Sequence, residues 1–499
     1  MKNIYKTNSL KSALMLVLSL IFFTGGVHGS DVFSLGPLLT IEKDDETNST
    51  NIDALGPFIT IKNREDSSEF GIRPLIYNVD DDVNDNDQFD LLYPLITYDR
   101  QGKDVWFQTL VYLIYYRSLV SEDNKTDKKF FIFPFIFSRK ARNLEDSYFA
   151  LFPIYGSLKN VFKKDEINFY LFPLFLQTKK EGLVNSSFLW PFFGAYHGNG
   201  QEGFRFWPLF GYRKIPDQLD EQFALWPIYI SRRYNFYGDE RRSFSILPFY
   251  YGTRWPERKQ DTYLWPFINH TVNEEKGFDR WDLPWPIVNF QKGENSYNRV
   301  FPFYSKRQLE GYQEGFYMWP VYRYKEGEFS NYNRRRIAVL FYLYNDVKEE
   351  PLNENGKSRR RINVWPLFSY ERDNEGNKKF HLLSLYEPFD PYNKNVERSY
   401  SSFWRIYQWE KDHLGNVKSN FLWNTFRTEH KKDFYRISLQ PIIPIFSFEK
   451  NEDKFKFNLI GGVFGYSNDG YVKKIKLLFI PIPIARVESA EKVVEIDDE

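Results

Sequence analysis

A short aromatic unit centred on proline recurs along most of the chain and constrains its fold more than any other feature. The clearest copy spans residues 204–213 and reads FRFWPLFGYR around Pro208. Neighbouring copies read FALWPIY at 223–229 and INVWPLF at 362–368. The proline anchors follow one another at about 19 residues, so the region from Leu35 to Ile484 is predicted to hold about 24 units.

Apolar side chains occupy alternate positions of the unit, which predicts a β-strand. Phe204, Phe206, Phe210 and Tyr212 lie at even offsets from Pro208, whereas the odd offsets are polar at both ends. Successive side chains of a strand point to opposite faces, so a period of two indicates an extended chain. A proline inside a helix costs about 3 kcal/mol, which argues against a helical unit. We expect the proline to form a kink or bulge within the strand.

Polar stretches of about eight residues separate the apolar segments and are rich in turn-forming residues. Two examples are 179–182, reading KKEG, and 273–277, reading NEEKG. These connectors are too polar to supply a second strand, so each unit is predicted to be one strand and one turn. The fold is therefore predicted to be all-β, an antiparallel meander of about 24 strands that closes into a large β-barrel.

The apolar side of each unit matches the thickness of a membrane. Nine residues of strand span roughly 27–30 Å, and a tilt of about 40° reduces the height to around 22 Å. In this respect the region from Leu35 to Ile484 resembles bacterial outer-membrane β-barrels. That architecture implies aromatic girdles at the two membrane surfaces, with these candidates: Phe204, Tyr212, Phe223, Tyr229, Phe316 and Tyr322. The charges predicted to face the lumen are Arg205, Arg213 and Arg232.

Two other architectures fit a repeat of this length. In a soluble β-solenoid each unit would form one coil, which explains the head-to-tail likeness of the units. A six-bladed propeller with four strands per blade also fits a total of about 24 strands. No grouping of the units in fours supports the propeller, and the solenoid is retained as the alternative to the barrel.

The ends of the chain differ from the repeats. The first 29 residues carry three lysines, an apolar run over 13–23 and small residues before Ser30, which predicts a secretory signal peptide. Residues 30–485 are predicted to form a single β-repeat domain, and residues 486–499 an acidic disordered tail. The chain has no cysteine, which excludes disulfides and thiolate metal sites.

No residue pattern predicts a reaction. The GxGxxG match at 198–203 precedes a strand instead of a helix and indicates a glycine-rich turn. The histidines are scattered, and no zinc-binding spacing occurs. The acidic stretch 80–87 favours a solvated loop over calcium binding, because the glycine of an EF-hand loop is missing and Tyr93 replaces its last glutamate. A net charge of +1 argues against a nucleic-acid partner.

The sequence therefore predicts an exported, non-enzymatic protein without a cofactor, most consistent with the outer membrane. There it would act as a pore, a lipid-handling barrel or a surface scaffold, with membrane lipids as partners and small solutes or envelope lipids as ligands. The alternative is a soluble periplasmic or cell-surface scaffold that binds envelope glycans or proteins.

Overall fold

One antiparallel sheet contains every strand of the protein that the structure describes. The computed structural model describes residues 32–44, 47–236, 238–353, 356–452 and 454–486. Its 46 strands form a meander in which each strand pairs with its neighbours in the chain. Within the described residues the first strand pairs only with the second and the last only with the one before it, so the sheet is open. The predicted signal peptide and nearly all of the acidic tail lie outside the described residues.

The strands are short and follow one another with few interruptions. The first sixteen are β1 Val32–Ser34, β2 Leu39–Asp44, β3 Ser49–Ala54, β4 Ile59–Arg64, β5 Ser67–Ile72, β6 Ile76–Asp81, β7 Asn86–Leu91, β8 Ile96–Gln101, β9 Asp104–Thr109, β10 Ile114–Val120, β11 Thr126–Ile132, β12 Ile136–Lys140, β13 Tyr148–Leu151, β14 Tyr155–Val161, β15 Lys164–Tyr170 and β16 Phe175–Lys180. The next sixteen are β17 Leu183–Phe188, β18 Phe193–His197, β19 Glu202–Phe206, β20 Phe210–Ile215, β21 Leu219–Ala224, β22 Tyr229–Phe236, β23 Asp239–Ile246, β24 Tyr250–Arg254, β25 Arg258–Tyr263, β26 Ile268–Asn273, β27 Phe278–Asp282, β28 Val288–Gly293, β29 Ser296–Val300, β30 Tyr304–Leu309, β31 Tyr312–Tyr317 and β32 Tyr322–Glu328.

The last strands flank the main helical segment. They are β33 Tyr332–Val339, β34 Tyr344–Pro351, β35 Arg359–Val364, β36 Phe368–Arg372, β37 Lys378–Leu382, β38 Tyr407–Lys411, β39 Val417–Phe421, β40 Phe426–Lys431, β41 Phe434–Leu439, β42 Phe446–Asn451, β43 Lys454–Leu459, β44 Phe464–Asn468, β45 Val472–Leu477 and β46 Ile480–Arg486. The helical pieces are α1 Lys394–Val396, a π-helical turn Glu397–Ser401, α2 Ser402–Trp404, and 3-10 turns Leu144–Asp146 and Ile460–Gly462.

Each repeat is a hairpin of two strands, and the proline unit is the turn between them. Residues 207–209 form the turn that joins β19 to β20, where Phe206 pairs with Phe210. Pro208 lies there in a cis peptide bond, as do the prolines of most other units. The prediction of an antiparallel meander is confirmed. The prediction of about 24 strands, one per unit and most with a proline inside, is wrong, because the polar connectors also contain strands.

Most proline turns have one of two lengths. A three-residue turn such as 207–209 joins its strands directly, whereas a four-residue turn begins with an extra residue at positive φ, such as Leu225 at 47°. These turns and their proline-free equivalents form one edge of the sheet, the turn edge. The other hairpin connections form the polar edge. Because the extra residue lies before the proline, a given offset before proline falls on opposite faces of the sheet in different repeats, whereas offsets after it keep their face.

A straight row of paired residues, the inner row, crosses the sheet from β2 to β45 close to the turn edge. It occupies the second position from the turn in almost every strand, for example Ser187, Gly194, Arg205, Gly211 and Phe223. The row keeps its distance from the turns, so the hairpins are not staggered along their length. A closed barrel needs tilted strands with a fixed stagger. The predicted closure into a barrel is therefore wrong, and consecutive antiparallel pairing also differs from the coils of a β-solenoid.

The two faces of the sheet differ in exposure. The face of the inner row is well covered, and Ser245 and Thr262 there are each 1% exposed. The opposite face carries a row of apolar residues at the strand ends, and Phe210 there is 52% exposed. Small and large side chains alternate along parts of the inner row, where Arg205 lies between two glycines and Phe169 lies beside Gly156. The covered face is thus packed by its own neighbouring side chains.

Gly156→Ala is expected to destabilise the hairpins around β14. A Cβ atom at Gly156 would lie 2.3 Å from the ring of Phe169 and 2.6 Å from the Cβ of Ala150, both of which are buried. Overpacking of this kind costs about 1–3 kcal/mol. Hydrogen exchange of β13–β15 measures the local cost. Gly327→Ala is the control, since its nearest neighbour is the Tyr312 ring at 3.1 Å, and equal costs at both positions would contradict the packing argument.

A helical segment between β37 and β38 contacts the N-terminal hairpins around β5–β8. Residues 383–406, the insert, replace a simple turn between β37 and β38 and contain α1, the π-helical turn and α2. Arg398 of the insert donates to Asp90 Oδ2 at 2.9 Å and to Gln88 Oε1 at 2.8 Å. The Arg398 carbonyl accepts from Arg73 Nε at 2.6 Å, and Tyr400 donates to the Tyr93 carbonyl. We call this group of contacts the clasp; it joins residues more than 300 positions apart in sequence.

Candidate functional site

The turn edge combines exposed apolar side chains with an almost complete lack of charge. Trp226 and Trp265 are 46% and 47% exposed at their turn tips. Between residues 35 and 367 the turns of this edge contain one charged side chain, Arg73, which is 8% exposed and covered by the clasp. Other exposed turn residues are Leu75, Leu95, Phe133, Phe135, Ile154, Leu174, Trp190, Phe192, Leu209, Ile228, Phe249, Phe267, Trp285, Ile287, Phe303, Trp319, Val321, Leu343 and Leu367.

Backbone hydrogen bonds run from each turn to the next. The Trp190 N–H donates to the Pro173 carbonyl at 2.8 Å, and the Trp226 N–H donates to the Pro208 carbonyl at 2.7 Å. The same bond joins Trp265 to Pro248 at 2.7 Å. Polar backbone groups of the turn edge are thereby paired within the protein. An edge of this kind can face a medium that offers few hydrogen bonds.

The polar edge has the opposite character. Residues 80–87 lie there, across the turn between β6 and β7. Arg100 donates to Asp85 Oδ1 at 2.7 Å and to Asp87 Oδ2 at 2.6 Å, and Asn84 donates to Asp81 Oδ2 at 2.8 Å. Three or more His, Asp or Glu side chains do not gather as a metal-binding group anywhere in the described part of the chain. The glycine-rich stretch 198–203 also reaches this edge, between β18 and β19.

The three arginines predicted to face a lumen lie together on the face of the inner row. Arg205, Arg213 and Arg232 line one cavity of about 180 Å³. Arg213 donates to Gln201 Oε1 at 2.9 Å, and Arg205 donates to Ser187 Oγ at 3.1 Å. Arg232 pairs with Glu221 across the hairpin. The sheet is open, so this shared face borders a shallow cavity and no enclosed channel within the described residues.

The predicted girdle aromatics fall on two faces. Phe204, Tyr212, Tyr229 and Tyr322 lie on the exposed face with the strand-end row. Phe223 and Phe316 belong to the inner row on the opposite face. The difference follows from turn length, because Phe223 and Phe316 precede four-residue turns whereas Phe204 precedes a three-residue turn.

The insert forms a polar cleft that sequence reasoning missed. It packs over β35–β37, where Glu387 accepts from Arg405 Nε and from Ser384 Oγ, each at 3.0 Å. Burial would raise the pKa of Glu387, but the charge of Arg405 and these hydrogen bonds hold it below its usual value. Burial lowers the pKa of His381 to about 2, aided by the charges of Arg405 and Lys379. The long gap between Pro366 and Pro444 is the sequence signal that could have located this segment.

Comparison with models of known protein families finds no match, and a search of curated proteins also finds none. Among the described residues, no helix has both the length and the apolar content required to cross a membrane.

Proposed function

We propose that this protein is an exported, non-enzymatic scaffold whose turn edge lies in the surface of a lipid membrane of the cell envelope. The observation that carries the proposal is the row of exposed apolar turns between residues 35 and 367, with paired backbone and with Arg73 as its single, buried charge, opposite a charged edge. Exposed apolar patches larger than a few hundred Å² indicate contact with a partner or a membrane.

The dimensions of the turn edge suit one leaflet of a bilayer. A turn and the first strand residue beside it reach about 7–10 Å, at about 3.3 Å per residue. Structures that lie in a membrane interface bury their apolar side by about 5–10 Å. With strands about 4.8 Å apart, the 46 strands give the edge a contour length of about 200 Å. Many tips would insert together, each contributing a small part of the affinity.

The residue types at the tips also favour a membrane interface. Trp190, Trp226, Trp265 and Trp319 stand at turns and are partly exposed. Tryptophan is enriched where hydrocarbon meets water, because its ring is apolar and its N–H is polar. The polar edge would then face the aqueous side of the membrane and present charged loops there.

Replacing three of these tryptophans by aspartate should abolish membrane binding. The full mature chain is expected to float with vesicles of phosphatidylcholine, whose lack of net charge excludes simple electrostatic attraction. The variant Trp190→Asp, Trp226→Asp, Trp265→Asp should lose at least about a hundredfold in partitioning, since each change removes apolar area and adds a charge that must stay in water. Vesicle flotation with quantified bound and free protein measures the effect.

A matched control carries the same chemical change on apolar residues away from the turn edge. Phe162, Leu144 and Leu414 are 82%, 77% and 75% exposed, more than the tryptophans. Their triple replacement by aspartate is expected to leave flotation unchanged. The proposal fails if the wild-type chain stays with the soluble fraction, or if both variants lose binding equally. If the wild-type chain does not bind vesicles, analytical sedimentation measures whether it is a dimer in which two copies cover each other's turn edge.

A further inference from the structure

The cleft under the insert is a partly open space lined mainly by polar residues, on the face of the inner row. Its volume is about 230 Å³, and it lies between the insert and strands β35–β37. Residues of the strands and of the insert contribute to its walls, among them Arg361, Asn363, His381, Asn393, Ser401 and Arg405. The residues that line the cleft are mainly polar, so its ligand is expected to differ from the lipid proposed for the apolar turn edge.

Several charged groups of the cleft already have partners. Arg405 bonds Glu387, and its Nη1 also donates to Glu397 at 3.1 Å. Glu371 accepts from Arg359 Nη2 at 2.9 Å. The carboxylate of Asp373 accepts from the backbone of its own turn. A charged ligand would have to displace these pairs.

The neutral groups of the cleft, by contrast, have unused hydrogen-bonding capacity. Asn363 is 1% exposed, and neither atom of its side-chain amide has a partner among the described residues. The hydroxyl of Ser401, also 1% exposed, lacks a partner there as well. Buried polar groups in folded proteins nearly always have a partner. Asn345, the cross-strand neighbour of Asn363, follows that rule and accepts from Arg336 Nε at 2.9 Å.

One guanidinium supplies further donors beside them. Arg361 lines the cleft, and its Nε and Nη1 have no partner among the described residues. Its guanidinium lies 5.0 Å from the centre of the Tyr392 ring, which restricts its orientation. An amide, a hydroxyl and a planar fork of N–H groups together offer both donors and acceptors at short range.

We propose that the cleft binds one ring of an uncharged polyhydroxylated compound, such as a single sugar residue of an envelope glycan. Neighbouring hydroxyls of a sugar each donate and accept, which matches the amide of Asn363 and the hydroxyl of Ser401. Acidic side chains outnumber basic ones on the walls, so an anion is disfavoured. Pockets for drug-sized ligands occupy roughly 300–1,000 Å³, so this smaller cleft suits one ring.

Titration of the full mature chain with monosaccharides tests the proposal. Glucose, galactose and N-acetylglucosamine are the probes, with inorganic phosphate as the charged comparison. At least one sugar should bind a single saturable site with millimolar affinity, and phosphate should not compete. Asn363→Leu and Ser401→Ala should each weaken that binding by about tenfold or more. Without sugar, Asn363→Leu should unfold no more easily than the wild type, because the amide it removes is unpaired.

Asn289→Leu is the control variant. Asn289 belongs to the same inner row and is 0% exposed, but it does not line the cleft. Its Nδ2 donates to Asp282, so the variant should lose stability while keeping sugar binding. The proposal is overturned if none of the sugars binds, if phosphate competes, or if Ser401→Ala and Asn363→Leu bind as tightly as the wild type. If Asn363→Leu does not fold, Ser401→Ala tests sugar binding by itself, because it removes only one hydroxyl.

Discussion

Arg398→Ala is expected to release the N-terminal hairpins from the insert. The Arg398–Asp90 ion pair is well covered, with side chains 14% and 4% exposed. Removing the arginine leaves the Asp90 carboxylate buried without its partner, and it also deletes the bond to Gln88. Loss of one partner of a buried ion pair costs about 3–5 kcal/mol. Burial already raises the pKa of Asp90 despite the arginine, so the carboxylate depends on this contact.

Hydrogen exchange measures this effect better than global unfolding does. In repeat proteins each unit contacts mainly its neighbours, so local opening is the relevant quantity. Exchange should accelerate in β5–β8 and in α1 and α2, and remain unchanged in the middle of the sheet. The double variant Arg398→Ala with Asp90→Ala should cost less than the sum of the two single changes, because no unpaired charge remains.

Arg307→Ala supplies the comparison for the clasp. Arg307 pairs with Glu314 at 3.3 Å, but the two side chains are 46% and 35% exposed. Exposed pairs contribute about 0–1 kcal/mol because water and salt screen them. If Arg307→Ala accelerates local hydrogen exchange as much as Arg398→Ala does, the buried Arg398–Asp90 pair stabilises the protein no more than an exposed ion pair. The assignment of the clasp as a buried, stabilising contact between the insert and the N-terminal hairpins would then be wrong.

The sequence predicts the class and the connectivity of this fold, because alternation and turn chemistry are local properties. Strand number was mispredicted because charged strands look like loops in sequence. β21 and β22 place Glu221 opposite Arg232, and β30 and β31 place Arg307 opposite Glu314. Cross-strand ion pairs satisfy such residues within a sheet. Their polar composition led to the interpretation of whole connectors as turns.

Neither the open form of the sheet nor the cleft under the insert can be predicted from a short stretch of sequence. The absence of stagger is a property of the register summed over all hairpins, and the length of each proline turn sets which face a residue occupies. The clasp joins Arg73 to Arg398 across 325 positions. Arg213 and Arg232 share one offset after proline, so their common face follows from the repeat, whereas the face of Arg205 depends on the length of its turn. The unpaired state of Asn363 was not predictable, since it depends on where the insert lies.

Lowering the pH from about 6.5 to about 4.5 is expected to loosen the sheet around β37 through His381. Its side chain is 8% exposed, and burial lowers its pKa to about 2, with Arg405 and Lys379 adding to the effect. In the unfolded chain the group has its ordinary pKa of 6.5. Below that value the unfolded state binds a proton that the folded state does not bind. Stability is therefore full above about pH 6.5 and falls by about 1.4 kcal/mol per pH unit below about pH 6.

The window between about pH 6.5 and 5 isolates the histidine from the carboxylates. Glu387, which faces the same cleft, has a lowered pKa, and its contribution to stability begins to fall only when the pH drops to the ordinary glutamate pKa of 4.5. His381→Asn keeps a polar side chain without a proton to bind, so local exchange of β36–β38 in that variant should be insensitive to pH in this window. His197→Asn, at an exposed position, should retain the wild-type response. If the wild-type sheet is equally stable at about pH 6.5 and about pH 4.5, His381 binds a proton in the folded chain, and burial does not keep its imidazole neutral.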